Sequence, residues 1–449
     1  MKIVILLLVV VIFSGSYYFF IYKNKKISYQ ENQEVFATPY KGFVPMIDSM
    51  PGYEKMGLTL PVNLVYVGIT WAQLEPTAPG QINWSALEAG FEAQIKKSRM
   101  IGIRFKVADP WVGGDLDVPE WLVELGVGVG RYNIDGGTGM IPDWDSPIFQ
   151  EHHKRIIMEL GKRYNNHPHI AWVDIGSYGI WGEWHHYKNE HLKAKHEDSK
   201  RKIIDSYFAA FPNKLMAIPF DDDWARLEVI KRKQGLRNDC LGPKDSNNWF
   251  IESMETTIPG FWENLDATTL ITGEFCGGDE GALKYLRENF HETIKFVQKT
   301  KWSFVGPAGG NLSITRDKDL VKAKEFYKQL GYHYFVKSLE LNVQKKSAEI
   351  QLNGKLTIVN SGSSAFNLNW PLSFKLKDKL YPIAVDIRNV SHGAHEIPFS
   401  ISVNKEDAGD NADRNLYLQI HDPNFPERKL IFANKEMVNS TLLLKEKIY

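Results

Sequence analysis

The sequence predicts an α/β fold, a (β/α)8 TIM barrel followed by a smaller all-β sandwich domain. From Tyr40 to about Asn311, short apolar runs alternate with amphipathic stretches, the pattern of repeated strand and helix units around a parallel sheet. Eight such runs over roughly 270 residues match the usual size of a (β/α)8 barrel, and no glycine-rich phosphate loop follows the first run to favour an open doubly wound sheet. Beyond Tyr332 the pattern switches to alternating apolar and polar positions between turn residues, which reads as antiparallel sheets. The expected organisation is 1–26 a hydrophobic signal or anchor segment, 27–39 a polar linker, 40–332 the barrel and 333–449 the sandwich.

The N-terminal run from Ile3 to Tyr22 has about the length that spans a hydrocarbon core, so it is set apart from the fold. Cleavage after Ser14 to Ser16 would make it a signal peptide. Uncleaved, it is a membrane anchor, and the apolar run continuing through Tyr17 to Tyr22 favours the anchor. Lys23, Lys25 and Lys26 after the span pull against export, although large domains translocate regardless of charge. Export is expected, with an extracytoplasmic protein, periplasmic or at the cell surface, either anchored or secreted. Lysine plus arginine (54) balance aspartate plus glutamate (54), so the basic excess that favours nucleic acid is missing and no nucleic acid partner is expected. Cys240 and Cys276 have no metal-ligand spacing and read as core thiols.

The eight runs begin at Gly42, Asn63, Ile101, His169, Lys214, Leu236, Thr269 and Trp302. Ser146-Pro147 is a cap with proline at the first helical position, followed by Phe149, Ile156, Ile157, Leu160 and Tyr164 at helical spacing. "DDWARLEVIKRKQG" reads as a helix closed by its terminal glycine. In a parallel barrel one face of each strand meets the helices and the other fills the barrel. Ile103, Phe105 and Val107 take the outward parity, leaving Arg104 and Lys106 inside; the same reading turns Asp174, Asp221, Arg237, Asp239 and Glu274 inward. Such charges must pair, because an isolated buried ion costs several kcal/mol. A structural salt-bridge lattice is the simplest account of Arg104, Lys106, Asp174, Arg237 and Asp239.

Asp109, Glu183, Asp221 and Glu274 fall at the C-terminal ends of strands, where barrel enzymes site their chemistry. Cleaving a glycosidic bond needs one carboxyl group to protonate the leaving oxygen and a second to attack or to activate water. Trp181 and Trp184 flank Glu183 and could wall it with apolar surface, raising its pKa, while stacking on a sugar. Glu183 is therefore the expected proton donor and Glu274, in a more polar setting, the ionised partner. Trp71, Asp109, Trp111, Trp181, Trp184, His185 and Asp221 are the expected sugar-site residues. His185 and His186 are adjacent and do not converge on one ion, so neither metal nor cofactor is expected. Thirteen tryptophans suit a carbohydrate ligand.

"YVGITWAQLEPTAPGQINWSALEAGFEAQIKKSRMIGIRFKV" resembles the segment from second to third strand of (β/α)8 retaining glycoside hydrolases, especially the family 42 β-galactosidase type, with its tryptophan, Glu-Pro and Asn-Trp turn before a long helix. "GSYGIWGEWHH", "LRNDCLG" and the sandwich tail resemble an uncharacterised bacterial family of glycosidase-like proteins. The resemblance implies a glycosidase acting on a poly- or oligosaccharide, with Glu183 and Glu274 in the acid/base and nucleophile positions. The chain departs from that pattern at strand four, which carries Gly176-Ser177 where Asn-Glu is usual. Either a longer loop folds Glu183 back over the barrel, or the acid is Asp174 or Asp109. The alternative function is a non-catalytic carbohydrate-binding barrel.

Overall fold

The computed structural model describes residues 25–112, 116–134, 137–307, 314, 316–404 and 415–446. The N-terminal signal or anchor segment lies outside them. Among the described residues, no helix is long and apolar enough to cross a membrane.

Eight parallel strands form the barrel: β1 (Gly42–Phe43), β2 (Leu64–Thr70), β3 (Met100–Lys106), β4 (Ile170–Asp174), β5 (Leu215–Pro219), β6 (Gly235–Leu241), β7 (Ile271–Phe275) and β8 (Phe304–Val305). Six begin within a predicted apolar run, and β3 and β6 begin one residue ahead of theirs. The sheet closes because the chain just past β1 bridges β2 at Met46 and Tyr66, while Val44 N donates to Val305 O of β8 at 2.8 Å. The outward-parity residues Ile103, Phe105, Val173, Met216, Ile218 and Phe275 join the core beneath the helices, as expected. The helix Pro147–Tyr164 begins where predicted, with Ser146 Oγ accepting from Phe149 N at 3.4 Å.

Local expectations differ in three places. The helix Asp223–Lys231 stops before Gly235, which opens β6; the left-handed residue after that helix is Lys233, at φ 58°. The long helix implied after the Asn-Trp turn is two short ones, Trp84–Leu87 and Phe91–Ile95, parted at Gly90. The linker 27–39 is partly structure: Lys25–Ser28 is an edge strand antiparallel to Tyr334–Lys345, pairing across some three hundred residues of sequence that local patterning does not reach.

The C-terminal domain is a pair of antiparallel sheets, one built on Tyr334–Lys345, Glu349–Asn360 and Gly393–Asn404, the other on Leu372–Leu376, Leu416–Asp422 and Thr441–Lys445. Its core is continuous with the barrel interior: Tyr66, Trp172 and Phe304 share one apolar cluster with Tyr334, Phe366, Trp370 and Leu372. Asn367 adds polar stitching, its Nδ2 donating at 3.1 Å to Ala267 O and Thr269 O at the foot of β7. The sandwich thereby seals the barrel floor and leaves the opposite mouth free.

Inside the barrel, Trp172 packs on Tyr66 (centroids 5.8 Å) and Phe304 (4.5 Å). Gly102 on β3 makes room for it, since a Cβ there would lie 2.1 Å from the indole ring. Gly102→Ala should therefore overpack the floor and cost about 1–3 kcal/mol or more in urea denaturation, with the m-value unchanged.

Candidate active site

Above the aromatic floor lies a closed set of buried charges. Arg104 Nε is 3.4 Å from Asp174 Oδ2 and its Nη2 is 3.1 Å from Asp239 Oδ2. Arg237 Nε is 3.6 Å from the same Asp174 oxygen and contacts Asp239 Oδ1. Tyr66 Oη donates to Asp174 Oδ2 at 2.6 Å and Trp172 Nε1 donates to its Oδ1 at 3.0 Å. Two guanidinium groups and two carboxylates thus neutralise one another away from water, the condition under which buried ions are tolerated. Parity put all four inside the barrel.

Each arginine also reaches upward to one glutamate. Arg237 Nη2 donates to Glu274 Oε2 at 2.9 Å, and Arg104 Nη1 is 3.8 Å from Glu183 Oε1. Glu183 Oε2 is 3.1 Å from His185 Nε2. The two glutamate side chains, 19 % and 20 % exposed, line one cleft of about 560 Å³ at the C-terminal mouth. Tyr66, Arg104, Lys106, Asp109, Trp111 and Trp181 share its walls.

The missing Asn-Glu is answered by the loop after β4. Tyr178 O accepts from Trp184 N at 3.0 Å and His185 O accepts from Ile180 N at 2.9 Å, closing a compact turn. Gly182 (φ 73°) allows its tight return, because a Cβ there would lie 2.1 Å from Gly176 O. Trp181 (φ 56°) and Trp184 (φ 65°) also adopt left-handed backbone, costly for bulky residues and a recurrent mark of functional loops. The turn folds Glu183 back onto Arg104. Asp174, the alternative acid, is fully buried beneath the cleft, and Asp109 is ion-paired with Lys106.

Among the expected sugar-site residues, Asp109, Trp111 and Trp181 line the cleft. Trp111 is 74 % exposed and its ring centroid is 5.1 Å from that of Trp181, so the two form an aromatic lip. His185 stands behind Glu183, and Asp221 lies close enough that their charges interact. Two expectations fail. Trp71 is fully buried against Phe105, Trp121 and Phe149 under the helices, because it continues the outward parity of Val65, Val67 and Ile69. Its indole donates to Glu75 Oε2 at 3.0 Å, and Arg155 pairs with the same oxygen, so the Trp and Glu-Pro of this segment are structural. Trp184 points down, Nε1 donating to Ile175 O at 2.6 Å, and packs on Tyr178. It cannot wall Glu183. Tyr66 and Gln73 on the cleft were missed, although Tyr66 has the inward parity of β2.

The long segment between β3 and the helix Pro147–Tyr164 carries a short helix, Glu120–Glu124, and a hairpin, Val129–Ile134 with Gly137–Pro142. The two cysteines are not thiols: Cys240 and Cys276 form a disulfide, because β6 and β7 are neighbours and bring their Cα atoms to 4.2 Å. Among the described residues, no cluster of histidine, cysteine and acidic side chains is arranged to hold a metal ion.

The surroundings do not favour an ionised Glu274. Burial pushes its carboxyl up, the charges of Asp239 and Glu183 add to this, and Arg237 and Arg104 oppose them; the balance is about 7. Asp221 is likewise pushed up to about 7, by burial first and then by Glu183 and Asp239 against His185 and Arg226. Burial lowers His185, but the hydrogen bond and charge of Glu183, with Asp221 and Asp239, outweigh it and leave the imidazole raised. His186, buried among Trp144 and Tyr178, is held neutral by burial, with a pKa of about 3.

No protein-family model matches the chain, and a search of curated proteins returns no match. Solved structures do match. The lactosyl-enzyme intermediate of endo-glycoceramidase II from Rhodococcus sp. has 11 % identity and a TM-score of 0.41, covering 84 % of this chain and 99 % of that one. The catalytic domain of β-amylase from Paenibacillus polymyxa has 10 % identity and a TM-score of 0.45, covering 65 % and 99 %. Thermotoga maritima Cel5A with cellobiose has 12 % identity and a TM-score of 0.37, covering 63 % and 96 %. The fold here rests on the chain's own strand order, and the site on its own distances.

A raised carboxyl pKa in the folded state means that the folded protein holds a proton which the unfolded chain has released. For Asp221 that contribution is fully favourable below the ordinary value of 3.8 and is lost as pH rises toward about 7. Asp221→Asn should therefore raise the melting temperature above pH 7 relative to the parent and change it little near pH 4, as read by calorimetry across that range.

Proposed function

We propose that this protein is a glycoside hydrolase acting on a poly- or oligosaccharide by a retaining two-carboxylate mechanism. One observation carries the reading: Glu183 and Glu274, from different strands, line a single open cleft over a shared base of arginines, with an aromatic lip beside them. The lip offers a sugar ring a flat face. The charge balance supports the reverse of the roles that the resemblance implies. Glu274 holds the proton and serves as general acid, while Glu183, set against Arg104 and His185, attacks the anomeric carbon. Water then releases the glycosyl group, with Glu274 acting as base.

The family 42 β-galactosidase type remains the proposal for the nearest chemistry, on the sequence resemblance alone. Placement outside the cytoplasm is also proposed, and the Cys240–Cys276 bond supports it, since such bonds persist in oxidising compartments. Attachment to a membrane would fall to the N-terminal segment.

The test is a panel of aryl glycosides and polysaccharides with the parent protein and the Glu183→Gln and Glu274→Gln variants. Loss of general acid catalysis should cost on the order of 10²–10⁴-fold in kcat with poor leaving groups, and much less with a dinitrophenyl leaving group that needs no proton. Glu274→Gln should show this dependence on leaving group and Glu183→Gln should not. The parent's activity should fall as pH rises through about 7, where the acid loses its proton. Binding of saccharides without turnover by any sample would favour the non-catalytic alternative.

A further inference from the structure

The pairing of β6 with β7 is irregular where the site is built. Asn238 pairs with Gly273 and Leu241 with Phe275, so β6 spends one more residue than β7 between the same two rungs. The bulge falls on Asp239 and Cys240, directly opposite Glu274. Bulges leave a residue out of the ladder and re-aim its neighbours, and they recur beside active sites.

Asp239 and Cys240 both fall between the two rungs. The N–H of Cys240 donates to the Asn238 side chain at 3.1 Å, and its carbonyl accepts from Ser246 Oγ at 2.7 Å. Pairing resumes at Leu241 and Phe275, and Cys276 N–H donates to Leu241 O at 3.0 Å. The disulfide joins the two strands at the bulge. It is anchored one residue beyond Asp239 and two beyond Glu274. It thus ties the bulge that carries Asp239 to the end of the strand that carries Glu274.

We propose that the Cys240–Cys276 disulfide is a positioning element of the active site, a clamp that fixes the β6 bulge and so holds Glu274 against Arg237 beside Asp239. The inference rests on the two-carboxylate reading for its catalytic consequence and on geometry alone for its structural one. Opening the bond lets the bulge relax, takes Glu274 away from Asp239 and admits water to it. The groups facing Glu274 are Arg237 and Asp239 on β6, Arg104 on β3 and Glu183 from the loop after β4. Of these, Asp239 shares the bulge with Cys240 and moves first.

The experiment compares oxidised protein, protein reduced with dithiothreitol and alkylated, and the Cys240→Ser/Cys276→Ser variant. The titration of the Glu274 carboxyl is followed by carbon NMR, assigned with Glu274→Gln. The clamp predicts that breaking the bond lowers the Glu274 midpoint by about one unit or more, as desolvation and the Asp239 charge are relieved. With a turned-over glycoside it also predicts a fall in kcat on the order of 10- to 100-fold with KM little changed, the cost of a small misplacement. Reoxidation should restore both. A midpoint and kcat that stay put while only the melting temperature falls would overturn the proposal, leaving the disulfide as a simple staple. If oxidised protein turns over no glycoside, the glycosidase reading fails, while the NMR midpoint still decides for or against the clamp.

Discussion

Everything at the mouth of this barrel depends on two arginines being held, with their charge intact, almost wholly out of water. Arg104 and Arg237 enter from β3 and β6, and each is shared between Asp174 and Asp239, so the four groups form a closed neutral set over an aromatic floor. Isolated, any one of them would carry a desolvation penalty of several kcal/mol; together they convert that penalty into geometry. At the mouth Arg237 donates to Glu274, and Arg104 donates to Trp181 O in the loop that carries Glu183.

The rest of the fold serves this set. Trp172 seals it from below and spends its indole N–H on Asp174, and Gly102 concedes the space for its ring. The sandwich closes the bottom of the barrel by merging its core with that floor, which leaves one open end for a substrate. At that end the loop after β4 uses left-handed backbone to return Glu183 over Arg104. The two carboxyl groups have different surroundings: Glu274 lies close to Asp239 and accepts from Arg237, and Glu183 lies against His185 and Arg104. In the proposed mechanism that difference separates proton donor from attacking group.

Much of the fold was legible because strand parity is a strict period of two, and Ile103, Arg104 and Phe105 already say which face of β3 meets the helices. The same rule placed Asp174, Arg237, Asp239 and Glu274 inward, and applied to β2 it would have freed Trp71 from the sugar site and put Tyr66 into the cleft. What the sequence could not disclose lies where the period breaks. Trp184 points down, and Glu183 up, because of left-handed turns that no apolar pattern encodes. Cys240 meets Cys276 because a bulge in β6 adds one residue, and bulges leave no periodic trace. The strand Lys25–Ser28 looked like a linker because its partner lies at the far end of the chain. The charge that bears on the roles proposed for the two glutamates, Asp239, is a neighbour of Glu274 only in the folded barrel.

The most direct test is covalent. A panel of activated 2-deoxy-2-fluoro glycosides should inactivate the protein, and peptide mass spectrometry of the trapped adduct should place the sugar on Glu183. A sugar attached to Glu274 instead, or protein that hydrolyses the parent glycosides while neither glutamate is ever labelled, would contradict the account.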